Sequence, residues 1–271
     1  MRSTRGHDLV LYAAGVTFFA AIGVVPLLLL AVRLAGLVTG EDTLRQLSGD
    51  LTSLIPANLG ARDAGERLSE VGTRLPWTGV LAAVLPGSLY GEGLVRAFDR
   101  LSVRGERGRR SVRGRIGSAV FIVLSPFVLL AAVLLADGLT NALGVGNAPR
   151  LLGIYLAFLF LWLSVSPLLA LAYRALAPER PGALAVAWGA YGTGSVIAGF
   201  ILGWVLFLSI RVPLEAAFGG SVPLAAAAVS MGWLFLLHVL MLVGYLTTLR
   251  LDARSGHPRG AVVRSTLVRE G

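Results

Sequence analysis

What most constrains this chain is a set of six apolar stretches separated by polar, glycine- and proline-bearing segments. They run from about Leu9 to Ala31, Trp77 to Phe98, Ile116 to Ala136, Leu151 to Tyr173, Ala183 to Leu208 and Val222 to Leu249. A helix of about 20 residues, rising about 1.5 Å per residue, crosses the roughly 30 Å hydrocarbon core of a bilayer and satisfies its own backbone there. The expected fold is therefore an all-α integral membrane protein with six transmembrane helices: a membrane domain over residues 1–254, then a polar, flexible tail over 255–271. Composition agrees, since 55% of residues are hydrophobic and 14% charged, with mean hydropathy +0.76. A soluble domain carries about a quarter charged residues. The second stretch is interrupted by Pro86, Gly87, Gly91, Glu92 and Gly93. Without it the count would be five and the termini would lie on opposite sides.

Charge placement favours six. All 24 basic residues are arginine, and the formal net charge is +9. With both termini cytoplasmic, seventeen arginines lie inside and seven outside, as expected where retained loops are the positive ones. Six acids, Glu41, Asp42, Asp50, Asp63, Glu66 and Glu70, outnumber the arginines of the first exported loop. The first apolar stretch follows basic residues as a signal peptide would, but it is too long and lacks a small-residue cleavage site, so it is expected to remain. The expected location is the cytoplasmic membrane. With no cysteine there is no disulfide, thiolate or iron–sulfur chemistry, and with no lysine there is no Walker A or Schiff-base lysine.

The exported loop from about Gly36 to Pro76 repeats Leu44, Leu47, Leu51, Leu54 and Ile55 at helical spacing, with Pro56 ending the pattern; a second short helix carries Leu68 and Val71. Such amphipathic helices either cap the bundle or lie in the interface.

Ionisable residues inside a membrane are costly and come first as functional candidates. Glu92, Arg96 and Asp99 follow one another at helical spacing as an alternating charge ladder, and His238 lies near the middle of the sixth stretch. These four form the candidate polar cavity; the plainer alternatives are a self-neutralised ladder at headgroup level and a neutral imidazole bonded to a neighbouring helix. Pro26, Pro86, Pro126 and Pro167 interrupt four spans and are expected to bend them. Ser195, Gly199 and Gly203 recur every fourth residue and read as a smooth packing ridge, as do Ala13, Thr17 and Ala21.

Arg104, Arg107, Arg109, Arg110, Arg113 and Arg115 make a basic loop without aromatic residues. The stacking partners of a single-stranded nucleic-acid binder are missing, so the expected partners are anionic headgroups on the cytoplasmic side, not nucleic acid. No HExxH or GxSxG occurs, and the three histidines His7, His238 and His257 are scattered. The chain is read as a non-enzyme with no cofactor and no metal.

Several segments are familiar. The run from Tyr12 through Pro26 to Leu29 resembles the first-helix signature of the YihY/BrkB family of bacterial inner-membrane proteins. Arg96-Ala-Phe-Asp99-Arg100 with its arginine-rich sequel, Tyr173-Arg174 with Pro178, and Trp233 through His238 to Gly244 resemble further family segments. Asn often stands in place of Asp99, and Gly-Ala-Glu is common where this chain has Gly244-Tyr245-Leu246, which removes an acid here. The resemblance implies six membrane helices. Members were once labelled a tRNA-processing ribonuclease, for which these residues give no support; serum resistance was linked to one branch, and transport or envelope-lipid roles have been suggested. The functional expectation is a transporter-like protein moving a lipid or amphiphilic solute across or between leaflets, with Glu92 and His238 contributing. The alternative is a membrane scaffold recruiting envelope partners through the exported helices and basic loop.

Overall fold

The computed structural model describes residues 5–40, 58–102, 150–179, 181–210 and 212–254, and of residues 5–8, 38, 39, 58, 150 and 151 the backbone alone. Among the described residues every regular element is helical. In chain order these are α1 (Arg5–Thr39), a 3-10 turn (Asn58–Gly60), α2 (Ala61–Thr73), α3 (Trp77–Leu101) and α4 (Arg150–Leu171) with a π turn (Ala172–Leu176). After them come α5 (Ala183–Ser209), a 3-10 turn (Leu214–Phe218) and α6 (Val222–Arg254).

Five of these helices are long and apolar enough to cross a membrane: Leu9–Leu37, Trp77–Leu101, Leu152–Leu176, Ala183–Ser209 and Val222–Arg254. They take in five of the six predicted stretches and extend most of them by a few residues. The third stretch, 116–136, lies outside the described residues together with Pro126, the arginines from Arg104 to Arg115, the predicted helix at Leu44 to Ile55 and the tail. The polar second stretch does form one unbroken helix, because its glycines sit where another helix comes close. Each of α1, α3 and α4 runs on through its proline, Pro26, Pro86 and Pro167 respectively.

α1 is central: it packs along α3 on one side and α6 on the other, α6 packs on α5, and α5 on α4. The π turn brings the end of α4 back against the end of α3, so Phe98 and Tyr173 meet edge to face at 6.1 Å. The α1–α3 crossing depends on missing side chains. A β-carbon on Gly23 would stand 2.9 Å from the Pro86 carbonyl oxygen, and one on Gly93 would stand 2.6 Å from the Phe19 ring, closer than packed atoms allow.

The main core gathers Ala13, Val16, Leu94, Phe98, Tyr173, Leu176, Leu242 and Tyr245. These come from the N-terminal part of α1 and the C-terminal parts of α3, α4 and α6, so the core lies toward the end predicted to be cytoplasmic. Outward faces are apolar: Leu85 is 72% and Trp188 70% exposed. Such surface is stable only against lipid or another protein.

α2 is the predicted short helix of the exported loop. Leu68 is half-buried and Val71 exposed, and the helix is held to α1 by Arg33, whose guanidinium donates to the Thr73 carbonyl at 2.7 Å. A β-carbon on Gly72 would stand 2.6 Å from Val32, so α2 lies directly across α1.

Candidate functional site

Three of the predicted polar residues lie on α3. Arg96 donates through Nη2 to Glu92 Oε1, one helical turn away, at 2.5 Å. Both side chains face outward, Arg96 66% and Glu92 47% exposed. α3 has 25 residues, about 37 Å at helical rise, so when it is centred on a roughly 30 Å core Glu92 lies about 10 Å inside the edge nearer its C-terminus. Arg96 lies about 5 Å inside and can reach the headgroups by extending its stem; Glu92, with its shorter side chain, cannot. On that centred placement the Glu92–Arg96 pair lies below headgroup level; a shift of α3 by about two turns toward its C-terminal side would bring it to the headgroups. Asp99 is half-buried farther along the helix, its carboxylate within electrostatic reach of the Tyr245 hydroxyl.

His238 is elsewhere. It is 3% exposed, with Nδ1 3.1 Å from Thr17 Oγ1 on α1 and Nε2 3.1 Å from Tyr90 Oη on α3. The Thr17 hydroxyl proton is already given to the Ala13 carbonyl at 2.8 Å. Thr17 can therefore only accept from the ring, so Nδ1 carries the proton and Nε2 accepts from Tyr90. The neutral imidazole completes a hydrogen-bonded chain that joins α1, α3 and α6.

The structure does not bring the four predicted cavity residues together. Tyr90 and Glu92 are two residues apart on α3, about 200° around the helix axis. Tyr90 faces inward to His238 and Glu92 outward, so the expected shared cavity resolves into a buried node and an outward ion pair. Spacing alone places Thr17 in a small-residue stripe and gives Tyr90 no role, because no local pattern indicates a partner more than a hundred residues away.

The ridge of Ser195, Gly199 and Gly203 makes no close contact among the described residues. There a β-carbon on Gly199 would meet nothing within 4 Å, and one on Gly203 would meet Trp233 at 4.0 Å. Ser195 donates to its own helix at Gly192. The buried side of α5 runs instead through Val186, Ala190, Gly194, Ile197 and Ala198, rotated about 100° from the ridge because it is offset by one residue. Close approach occurs at Gly189 against Thr248, Gly194 against Ser166, and Gly244 against Thr193 and Tyr173. Of the other stripe, Ala13 and Thr17 are buried while Ala21 is exposed.

A second buried polar layer surrounds Gly244. Tyr173 donates to the Met241 carbonyl at 2.8 Å, and Thr248 donates to the Gly244 carbonyl at 2.9 Å. Tyr245, also fully buried, packs its ring 4.6 Å from Phe98, but its hydroxyl has no hydrogen-bond partner among the described residues. The two tyrosines should respond oppositely to loss of the hydroxyl. Tyr173→Phe is expected to cost about 1 kcal/mol and leave the Met241 carbonyl one partner short, whereas Tyr245→Phe should be neutral or stabilising. Thermal unfolding in detergent checks the order, and a greater loss from Tyr245→Phe than from Tyr173→Phe would refute it.

Among the described residues no three His, Asp or Glu side chains converge as a metal site would require. No curated protein and no solved structure matches this chain. The family model described as Virulence factor BrkB matches residues 1–262, the part that holds all five long apolar helices, and the chain belongs to that family as a multi-pass helical membrane protein.

Proposed function

We propose that this chain is a non-enzymatic, transporter-like protein that moves a lipid or amphiphilic solute between leaflets of the cytoplasmic membrane along the outward face of α3. The observation that carries this reading is the exposed Glu92–Arg96 pair on a helix long and apolar enough to cross a membrane, which lies at hydrocarbon depth when α3 is centred on the core. A charged side chain there costs about 2.5 to 3.5 kcal/mol on insertion scales, and although pairing in a poorly screening medium offsets part of that cost, the remaining hydrogen-bonding groups of both side chains still face oil. The cost is offset if water or a polar headgroup reaches the pair. Toward the exported side the same face continues as Leu81, Leu85 and Leu89, which are 71%, 72% and 37% exposed. A polar station beside an apolar stripe suits an amphiphile whose headgroup crosses while its chains stay in oil. His238 serves this reading as a structural junction and not as a contact for cargo.

Reconstitution tests it. Purified protein in liposomes is expected to speed the exchange of fluorescent lipid between leaflets over empty vesicles. Replacing both charges, Glu92→Gln with Arg96→Gln, should slow exchange about tenfold, a barrier change of about 1.4 kcal/mol. Rates equal to empty vesicles across a broad panel of lipids and small amphiphiles would overturn the reading.

The scaffold alternative rests on α2. Its outer face exposes Val71 beside Arg67, Glu70 and Arg74, and the Arg33–Thr73 bond holds that face in place on α1. Cross-linking in cells through α2 decides: a stable stoichiometric partner, together with absent lipid exchange, favours the scaffold. On either reading, the basic segment from Arg104 to Arg115 is proposed to contact anionic headgroups on the cytoplasmic side.

A further inference from the structure

Glu92 and Arg96 together carry no net charge, and each retains hydrogen-bonding capacity that no other described residue uses. One guanidinium nitrogen of Arg96 is engaged with Oε1 of Glu92, and the rest of that planar fork remains on a side chain that is two-thirds exposed. Such a fork matches phosphate oxygens. Glu92 keeps a second carboxylate oxygen, which can accept only from a donor. Ser88, the polar residue one turn away, already gives its hydroxyl proton to the Leu85 carbonyl at 2.7 Å, so recognition falls to the two charged groups.

We propose that the cargo passed along α3 is a net-neutral lipid whose headgroup joins a phosphate to a primary ammonium, with the phosphate on Arg96 and the ammonium on Glu92. This rests on the lipid-translocation reading above. At this depth, a headgroup of net charge would leave one charge unbalanced in a medium that screens it poorly. A phosphate–ammonium headgroup balances both members of the pair at once. A trimethylated ammonium balances the charge but has no N–H to give to Glu92, so it is a poorer cargo. The neighbouring Leu85 and Leu89 offer the chains an apolar wall on the same face of the helix.

The test uses the full-length protein in proteoliposomes with lipids labelled on an acyl chain, so that ethanolamine, choline and glycerol headgroups are compared intact. A membrane-impermeant quencher reads the rate at which each label reaches the outer leaflet. The ethanolamine lipid is expected to move about tenfold faster than the anionic glycerol lipid, with the choline lipid between them. Glu92→Gln and Arg96→Gln, each made singly, should remove that preference, and the exchanged pair Glu92→Arg with Arg96→Glu should retain it. Both side chains are exposed and bond to no other helix among the described residues, and unchanged thermal unfolding is the control that the single variants fold. Equal or faster movement of the glycerol lipid, or a preference that survives both single replacements, overturns the headgroup assignment while translocation stands. If no lipid moves faster than in empty vesicles, the translocation reading and this assignment fall together.

Discussion

Gly244→Ala is expected to lower the stability of the folded protein by about 2 to 4 kcal/mol, the sum of an overpacked core and a lost hydrogen bond. An added β-carbon would stand 2.5 Å from Thr193 Cγ2 and 2.6 Å from Tyr173 Oη. Tyr173 has no room to withdraw, because it is fully buried and its hydroxyl is held by the Met241 carbonyl. Moving the ring away would also disturb its contacts with Phe98 and Tyr245. Gly199→Ala supplies the contrast. That position has open space among the described residues, and alanine is better than glycine in a helix by about 0.5 to 1 kcal/mol. Unfolding measured in the same detergent should therefore move in opposite directions for the two variants. A destabilising Gly199→Ala beside a silent Gly244→Ala would mean that the ridge, and not Gly244, is the close contact.

The His238 node should show the second large effect. His238→Leu removes the acceptor of the Tyr90 hydroxyl and the donor to Thr17. Thr17 keeps its bond to the Ala13 carbonyl, so the harm falls mainly on Tyr90, left with a hydroxyl in a largely apolar junction. The expected loss is about 2 to 3 kcal/mol. In a double-mutant cycle with Tyr90→Phe, part of that loss should vanish, with a coupling of about 1 to 2 kcal/mol, because the second change removes the stranded group. Additive effects would show that the two side chains do not act together. Glu92→Gln, by contrast, should change stability by less than about 1 kcal/mol if water or a headgroup reaches the pair as proposed, since a solvated pair contributes little. His238 and Glu92 thus separate experimentally: one holds helices together, the other is read out in lipid exchange.

That separation could not be read from the chain alone. Glu92 and His238 stood out in the sequence for one shared reason, the cost of an ionisable group in hydrocarbon, and this made them look like parts of one site. The charge ladder along α3 involves residues on the same helix, so the Glu92–Arg96 pairing was legible from spacing. Whether that pair faces inward or outward depends on how α3 is rotated against α1, and the rotation is decided by glycines meeting Phe19 and the Pro86 carbonyl. The close contacts of α5 were hidden for a related reason. Small residues every fourth position allow close packing, but a face offset by one residue, with Gly194, was the one that α4 engaged. Tyr245 and Leu246 stand where the family commonly has Ala and Glu: the half-buried Leu246 takes the acid's place, and Tyr245 adds an aromatic ring to the core.

What the sequence by itself determined is the number of apolar stretches, their approximate ends and the helical class of the fold. Those properties follow from local composition and from the need of a backbone in lipid to bond with itself. Tertiary structure alone decided which face of each helix is buried, which hydroxyls reach His238, and that the Glu92–Arg96 pair turns away from it. Such contacts join residues far apart in the chain, and they depend on small rotations of packed helices that no local pattern encodes.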